Sequence, residues 1–268
     1  MSAVTTSART RRRASNAAWF VSPFLVLLAI WLVAIPAGNV SERTFPSVGS
    51  VVEAFADTAG SGELWKAASA SLARVLVGAA IAVVVGVPFG ILMGVSRGVS
   101  TFFSPLLRFS VALAGIAWVP IATLWLGYNN RAVVFIVFNA VFFAIVYNTM
   151  LGVRQIDTSL LRAARSLGAG RSRMLWEIYL PGAAPSIATG VRVGMGFAWR
   201  GLIAAEMIAT STGLGYSLFL ARQYYETEVI VLMMITIGVL WLAMDRWMLR
   251  PLERRTVERW GEQSPVAG

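Results

Sequence analysis

Residues 160–181 read LLRAARSLGAGRSRMLWEIYLP, the one long polar interruption in an otherwise apolar chain. Asp157 or Thr158 can cap the free amides of a helix start just before it, and most residues from Leu160 to Leu167 favour helix. Gly168 and Gly170 supply a corner. A second short helix is expected from Arg171 to Tyr179, with Met174, Leu175 and Ile178 on one side, and Pro181 is expected to end it. Two short helices, basic outside and apolar along one stripe, suit a membrane surface or the groove of a partner protein. Spacing alone leaves both open.

The flanks on either side favour hydrocarbon over water. Of the 268 residues 57% are hydrophobic and only 13% charged, and the mean hydropathy is +0.69. Apolar runs of about 20 residues recur, the length a helix needs to cross a bilayer. The expected fold is therefore an all-α polytopic membrane protein of six spans, at about 19–37, 71–95, 102–126, 132–151, 186–208 and 229–249. The polar segment 154–181 joins spans four and five. Residues 1–18 and 251–268 form tails around a membrane domain of residues 19–250. Ser47 to Ala59 is expected to form a short outer helix, and Gly60, Ser61 and Gly62 to break the loop there.

Small residues recur at four-residue spacing in the second span, as Gly78, Gly86, Gly90 and Gly94, a face that permits close helix contact. Gly190, Gly194, Gly196 and Gly201 thin one side of the fifth. If the spans alternate, the arginines of both tails and of 154–181 share one side, and most loop acids, including Glu42, Glu53, Asp57, Glu226 and Glu228, take the other. That asymmetry places both termini in the cytoplasm. The net charge of +10 is then topological and implies no nucleic acid.

Several chemistries are excluded. With no cysteine and no histidine, disulfides, thiolates and the commonest general base and metal ligand are missing. No Gly-rich phosphate loop ends in Gly-Lys-Ser/Thr, so ATP hydrolysis would have to come from another chain. No enzyme is expected, and no metal.

Charge inside hydrocarbon costs about 2.5–3.5 kcal/mol at a span centre, so each such residue needs a reason. Arg74 and Glu206, near span ends, can snorkel or pair. Arg108, Arg192 and Arg200 are candidates for a basic lining; the last two are eight residues apart, about 80° around a helix. A cavity with surplus arginine would attract an oxyanion; interhelical pairing is the alternative. Asn139 and Asn148 are expected to hydrogen-bond across helices or to face a pore, and the deep Trp118 and Trp199 to pack or to line a passage. The candidate translocation path is thus Arg108, Trp118, Asn139, Asn148, Arg192, Trp199, Arg200 and Glu206.

The spacing of Ala163, Ala164, Gly168, Ile178, Leu180 and Pro181 resembles the cytoplasmic coupling loop of permease subunits of ATP-binding-cassette importers. Its flanks resemble more narrowly the branch serving nitrate, taurine, aliphatic sulfonates and some pyrimidine or vitamin precursors: Ala117-Trp118-Val119-Pro120, Asn148-Thr149, Gly152-Val153-Arg154, Ala205-Glu206-Met207-Ile208 and Gly213-Leu214-Gly215-Tyr216. The similarity runs from about Leu72 to Arg250. One position departs: the residue before the two alanines is usually glutamate, and here it is Arg162.

The resemblance implies a type I importer permease in the bacterial cytoplasmic membrane, with residues 162–164, 168, 178, 180 and 181 coupling it to ATP hydrolysis. It implies a second, identical or similar permease subunit, two cytoplasmic ATPase subunits that hold ATP and Mg, and an extracytoplasmic solute-binding protein. The permease itself would bind no cofactor. The solute would be a sulfonate, nitrate or a related compound. The alternatives are an ion-coupled secondary carrier, which would call for paired intramembrane acids or an internal repeat, and a non-transporting membrane anchor or assembly protein.

Overall fold

A computed structural model of the protein describes residues 22–33, 45–113 and 115–260, without the side chains of residues 255 and 257–260. The expected N-terminal tail, the rest of the first expected span and the last eight residues lie outside the described residues. Every regular element among the described residues is helical, so the protein is all-α.

The chain enters as α1 (Ser22–Val33), an apolar helix whose Trp31 indole donates to the Pro46 carbonyl at 3.1 Å. α2 (Val48–Gly60) lies where the short outer helix was expected. It starts at Ser47, whose hydroxyl accepts from the Ser50 amide at 3.2 Å. α3 (Glu63–Val95) is 33 residues long and starts a full two turns before the expected span.

The stretch 102–126, expected as one span, holds two helices with a bend between them. α4 (Arg97–Ala112) ends at Leu113, and a short 3₁₀ turn (Gly115–Trp118) leads into α5 (Val119–Leu126), with a bend of 98° between the halves. Pro120 falls in the first turn of α5, where its missing N–H costs nothing and its fixed φ suits a helix start. The continuous apolarity of 102–126 concealed that start.

α6 (Asn130–Gln155) is the central helix, packed between α3 and the later α9. Two glycine stripes allow this. A Cβ on Gly90 would lie 2.6 Å from the Thr149 Cβ, and one on Gly94 2.5 Å from the Val153 Cβ. On the other flank a Cβ on Gly190 would lie 2.9 Å from the Asn148 Cβ, and one on Gly194 3.0 Å from the Val141 Cα. Backbones approach this closely only where no side chain intervenes. Gly196, expected on the same side, faces Trp241 instead.

The polar segment forms α7 (Thr158–Ser166) and α8 (Arg171–Met174), followed by a π-helical turn (Leu175–Tyr179) that runs straight into α9 (Leu180–Ala209). Pro181 therefore does not end the helix. The same sequence of events recurs later. α10 (Leu214–Tyr224) is followed by α11 (Thr227–Met244), a second π turn (Asp245–Leu249) and α12 (Arg250–Trp260), with Pro251 two residues past the π turn as Pro181 is past the first. A proline ring strikes the carbonyl four residues back, and the wider π turn relieves that contact so the helix passes the proline unbroken. The C-terminal tail is thus helical as far as Trp260.

Among the described residues three helices, Glu63–Val95, Asn130–Gln155 and Thr227–Arg254, are long and apolar enough to cross a membrane, and five segments are if each bent pair counts as one. Buried apolar side chains from α3, α5, α6, α9 and the end of α11 form the main core. A second cluster joins α2, α3, α10 and α11.

Candidate functional site

Two features carry the functional argument: the basic segment around α7 and α8, and a cavity between α4, α6 and α9. Asp157 opens the first. Its carboxylate accepts from the Ser159 amide at 2.8 Å, and this bond holds its pKa below the usual value. At the far end of α7 the Gly168 amide donates to the Arg165 carbonyl and the Ala169 amide to the Ala164 carbonyl, both at 3.0 Å, with Gly168 at φ +78°. These two bonds and the left-handed residue make a Schellman ending.

The alanine-glycine spacing now has a physical cause. Ala164 and Ala169 close the Schellman turn and both pack with Ile178 and Leu180 against Ile91, Val153, Met174 and Tyr179. Ala164, Gly168, Ile178 and Leu180 therefore build the segment. Arg162 and Ala163 are exposed on it, Arg162 reaching back to Thr158 with 3.3 and 3.4 Å contacts. Pro181 lies beyond the π turn, at the start of α9.

Sequence reasoning missed what stands furthest out: Leu167 is 86% exposed and Trp176 65%. Arg165 and Arg171 flank them, while Arg173 is paired with Glu177 at 2.8 Å. Leu167 sits at a helix end, outside any stripe. Trp176 is swung outward within the π turn, which no 3.6-residue period anticipates.

The cavity has a volume of about 570 Å³ and lies between the end of α4, the 3₁₀ turn and the middles of α6 and α9. Three of the eight path candidates meet there: Asn139, Asn148 and Arg200. Asn139 is 7% exposed, and among the described residues nothing hydrogen-bonds its side-chain amide. Asn148 donates to its own helix, at the Ala144 carbonyl, at 2.8 Å. Neither makes a hydrogen bond across helices among the described residues. Arg200 is exposed and has no carboxylate partner among the described residues. Phe143, Tyr147 and Phe197, not singled out from sequence, complete the lining. The steps 139, 143, 147 and 140, 144, 148 along α6 are the i, i+4 signal that could have found them.

The other five candidates lie elsewhere. Arg108 is exposed on α4, outside the lining. Trp118 packs edge-on to Phe135 at 6.4 Å and Trp199 against Trp241 at 6.2 Å, each with its indole nitrogen buried and without a partner among the described residues. Arg192 is held by Glu253 at 2.5 Å and Asp245 at 3.2 Å, and Asp245 also accepts from Arg250 at 2.8 Å. Glu206 is fully buried against Arg74, which does not snorkel. Of three arginines expected to share a lining, only Arg200 reaches the cavity.

The described residues hold no cluster of acids suited to a metal ion. Residues 86–256 match the family described as binding-protein-dependent transport system inner membrane component. Over 90% of both chains the protein is 31% identical to the taurine transport system permease protein of Escherichia coli. A relative from the same organism, named for aliphatic sulfonate transport, is 38% identical over 84% of both chains. The bicarbonate transport system permease protein of Synechococcus elongatus is 36% identical over 68% of both. This chain belongs to that transport family.

The permease is therefore a transport subunit and not an enzyme, the inner membrane component of a binding-protein-dependent importer. Of the readings left open by the sequence, the secondary carrier and the inert anchor give way. Glu206, an acid such a carrier could use, is moreover paired with Arg74.

Proposed function

We propose that the permease conducts a small anion past Arg200 and Asn139 and is driven by ATPase subunits that grip the α7–α8 surface. The solute class follows from relatives named for taurine, aliphatic sulfonates and bicarbonate, each able to carry an anionic oxygen group, and from the Arg200 guanidinium at the cavity, which has no carboxylate partner among the described residues. The passage is completed by a second permease subunit, and a solute-binding protein delivers from outside. Both termini and the arginine-rich segment lie in the cytoplasm, the side on which basic loops collect. The chain itself binds no cofactor; ATP and Mg sit on the partner ATPases.

The observation that carries this reading is the continuity of α9. The exposed segment rests on its inner end through the π turn, and Arg200 projects from its middle. A push on Leu167 and Trp176 reaches the cavity through one continuous helix, which shifts the population between inward-open and outward-open states. Replacing Leu167 by aspartate tests it, because that side chain supports nothing within the chain. The expected result is a permease that inserts normally but no longer retains its ATPase on purification or takes up solute. Normal ATPase retention and uptake would refute the docking role.

A further inference from the structure

We propose that Arg74 and Glu206 are positioning residues for transport, a buried hub that fixes α10 to α9 so that the two move as one body. It rests on the importer reading only for one of its readouts. The side chains of Arg74 and Glu206 are 5% and 0% exposed and meet at 2.5 Å. A burial this complete demands that every remaining hydrogen-bonding atom find a partner, and those partners come from separate places in the chain.

Glu206, near the outer end of α9, accepts from the Ser71 hydroxyl of α3 at 2.8 Å and from the Gly215 amide in the first turn of α10 at 3.0 Å. Ser71 accepts in turn from the Leu214 amide at 2.9 Å. The start of α10 is thus held by two free amides of its first turn, its positive end facing the carboxylate. Arg74 donates to the Thr212 carbonyl at 2.8 Å, to the Thr212 hydroxyl at 2.6 Å, and to the Asn130 side-chain oxygen at 2.7 Å. The hub therefore gathers α3, the first residue of α6, the end of α9 and the start of α10.

Two glycines are required by it. Gly213 has φ +112°, and a Cβ there would lie 2.5 Å from both Arg74 and Glu206; a Cβ on Gly215 would lie 2.5 Å from the Ile203 carbonyl. No slack remains for α10 to hinge on α9 while the pair is intact. α10 also packs against α11 and contributes Leu214 to the outer cluster with α2 and α3. Any load on the outer elements is passed into α9, the helix that carries Arg200.

The absence of cysteine from the native chain permits a clean test. Spin labels are placed at Ile208 on α9 and Tyr224 on α10, both exposed, in the assembled importer in lipid nanodiscs. With labelled permease diluted into unlabelled chain so that only distances within one subunit are read, the expected result is one label distance, the same without nucleotide and with ATP bound, and a broadened distribution in Glu206→Gln. A native distance that changes between nucleotide states would overturn the proposal, as would an unbroadened distribution in Glu206→Gln.

In the same assembled complexes, Glu206→Gln should keep basal ATP hydrolysis and lose stimulation by loaded binding protein about tenfold. The double variant Arg74→Met, Glu206→Leu restores packing without the anchor to Thr212 and Gly215. It should assemble and remain uncoupled; full stimulation in it would make the pair merely structural. If no ATPase associates with the native permease the functional reading falls, and the label distance in Glu206→Gln against the native chain still judges the anchor.

Discussion

Arg192 and Arg200 lie on one helix and meet different fates. Two windings of α9 turn Arg192 toward the Asp245 and Glu253 carboxylates at the α11–α12 junction, while Arg200 faces the cavity beside Asn139. Their substitutions should therefore separate. Arg192→Gln breaks pairs that are more than a third exposed on the arginine side, so screening leaves a stability loss of about 1 kcal/mol or less, with uptake kept. Arg200→Gln removes a lining charge that has no carboxylate partner among the described residues. It should leave the melting temperature alone and lower uptake about tenfold, the loss expected when a charge-assisted contact worth about 1.4 kcal/mol disappears. Melting curves and vesicle uptake on the two variants decide it, and equal uptake losses would dismiss Arg200 as a selectivity residue. The sequence showed that both arginines needed an explanation. It could not assign them, because an offset of about 80° is wide enough to reach two different neighbours, and the acids that claim Arg192 come from 53 to 61 residues later in the chain.

At the level of elements, α7 and its corner are stabilised locally, and this is why they were readable. The cap at Asp157, the alanines and the left-handed Gly168 are all short-range features. A Cβ on Gly168 would meet nothing within 4 Å, so the cost of Gly168→Val is backbone strain alone, about 1–2 kcal/mol. That is small for a membrane protein's insertion and large for the orientation of an exposed lever. The variant should reach the membrane in native amount with ATP hydrolysis no longer stimulated by solute; unchanged stimulation would mean that the corner tolerates a second geometry.

The Asp157 cap gives this element a pH dependence of known sign. Its folded pKa is lowered, so its stabilisation is complete above the unfolded carboxylate value and is lost only as pH falls through the folded one. Hydrogen exchange at the start of α7, corrected for intrinsic rates, should show constant protection from about pH 5 upward and fraying below. Fraying that began near neutrality would point to another titrating group. What the local pattern could not supply was the π turns. Each lies just ahead of a proline that a helix passes, Pro181 and Pro251, and Pro181 read from sequence as the place where the helix stops.

Across the whole molecule, α6 is held between two glycine stripes that do different work. On the α3 flank the stripe packs α6 on the scaffold; on the α9 flank it brings α6 and α9 together beside the cavity that Asn139 and Arg200 line. The α3 stripe was legible as four-residue spacing and the α9 stripe as glycines thinning one side, but which helix each one faced depended on tertiary packing. Added methyl groups should distinguish the flanks. Gly90→Ala forces its Cβ onto Thr149 and Gly194→Ala onto the Val141 backbone, and each should cost about 1–3 kcal/mol of stability as an overpacked contact. Only Gly194→Ala widens the space between α6 and α9, so at matched amounts of folded protein it should change uptake and its preference among anions of different size. Gly90→Ala, at the same stability loss, should transport like the native permease. Equal transport defects in the two, measured on protein of equal folded fraction, would show that the cavity is not set by the α6–α9 contact and would remove the structural basis for placing the solute there.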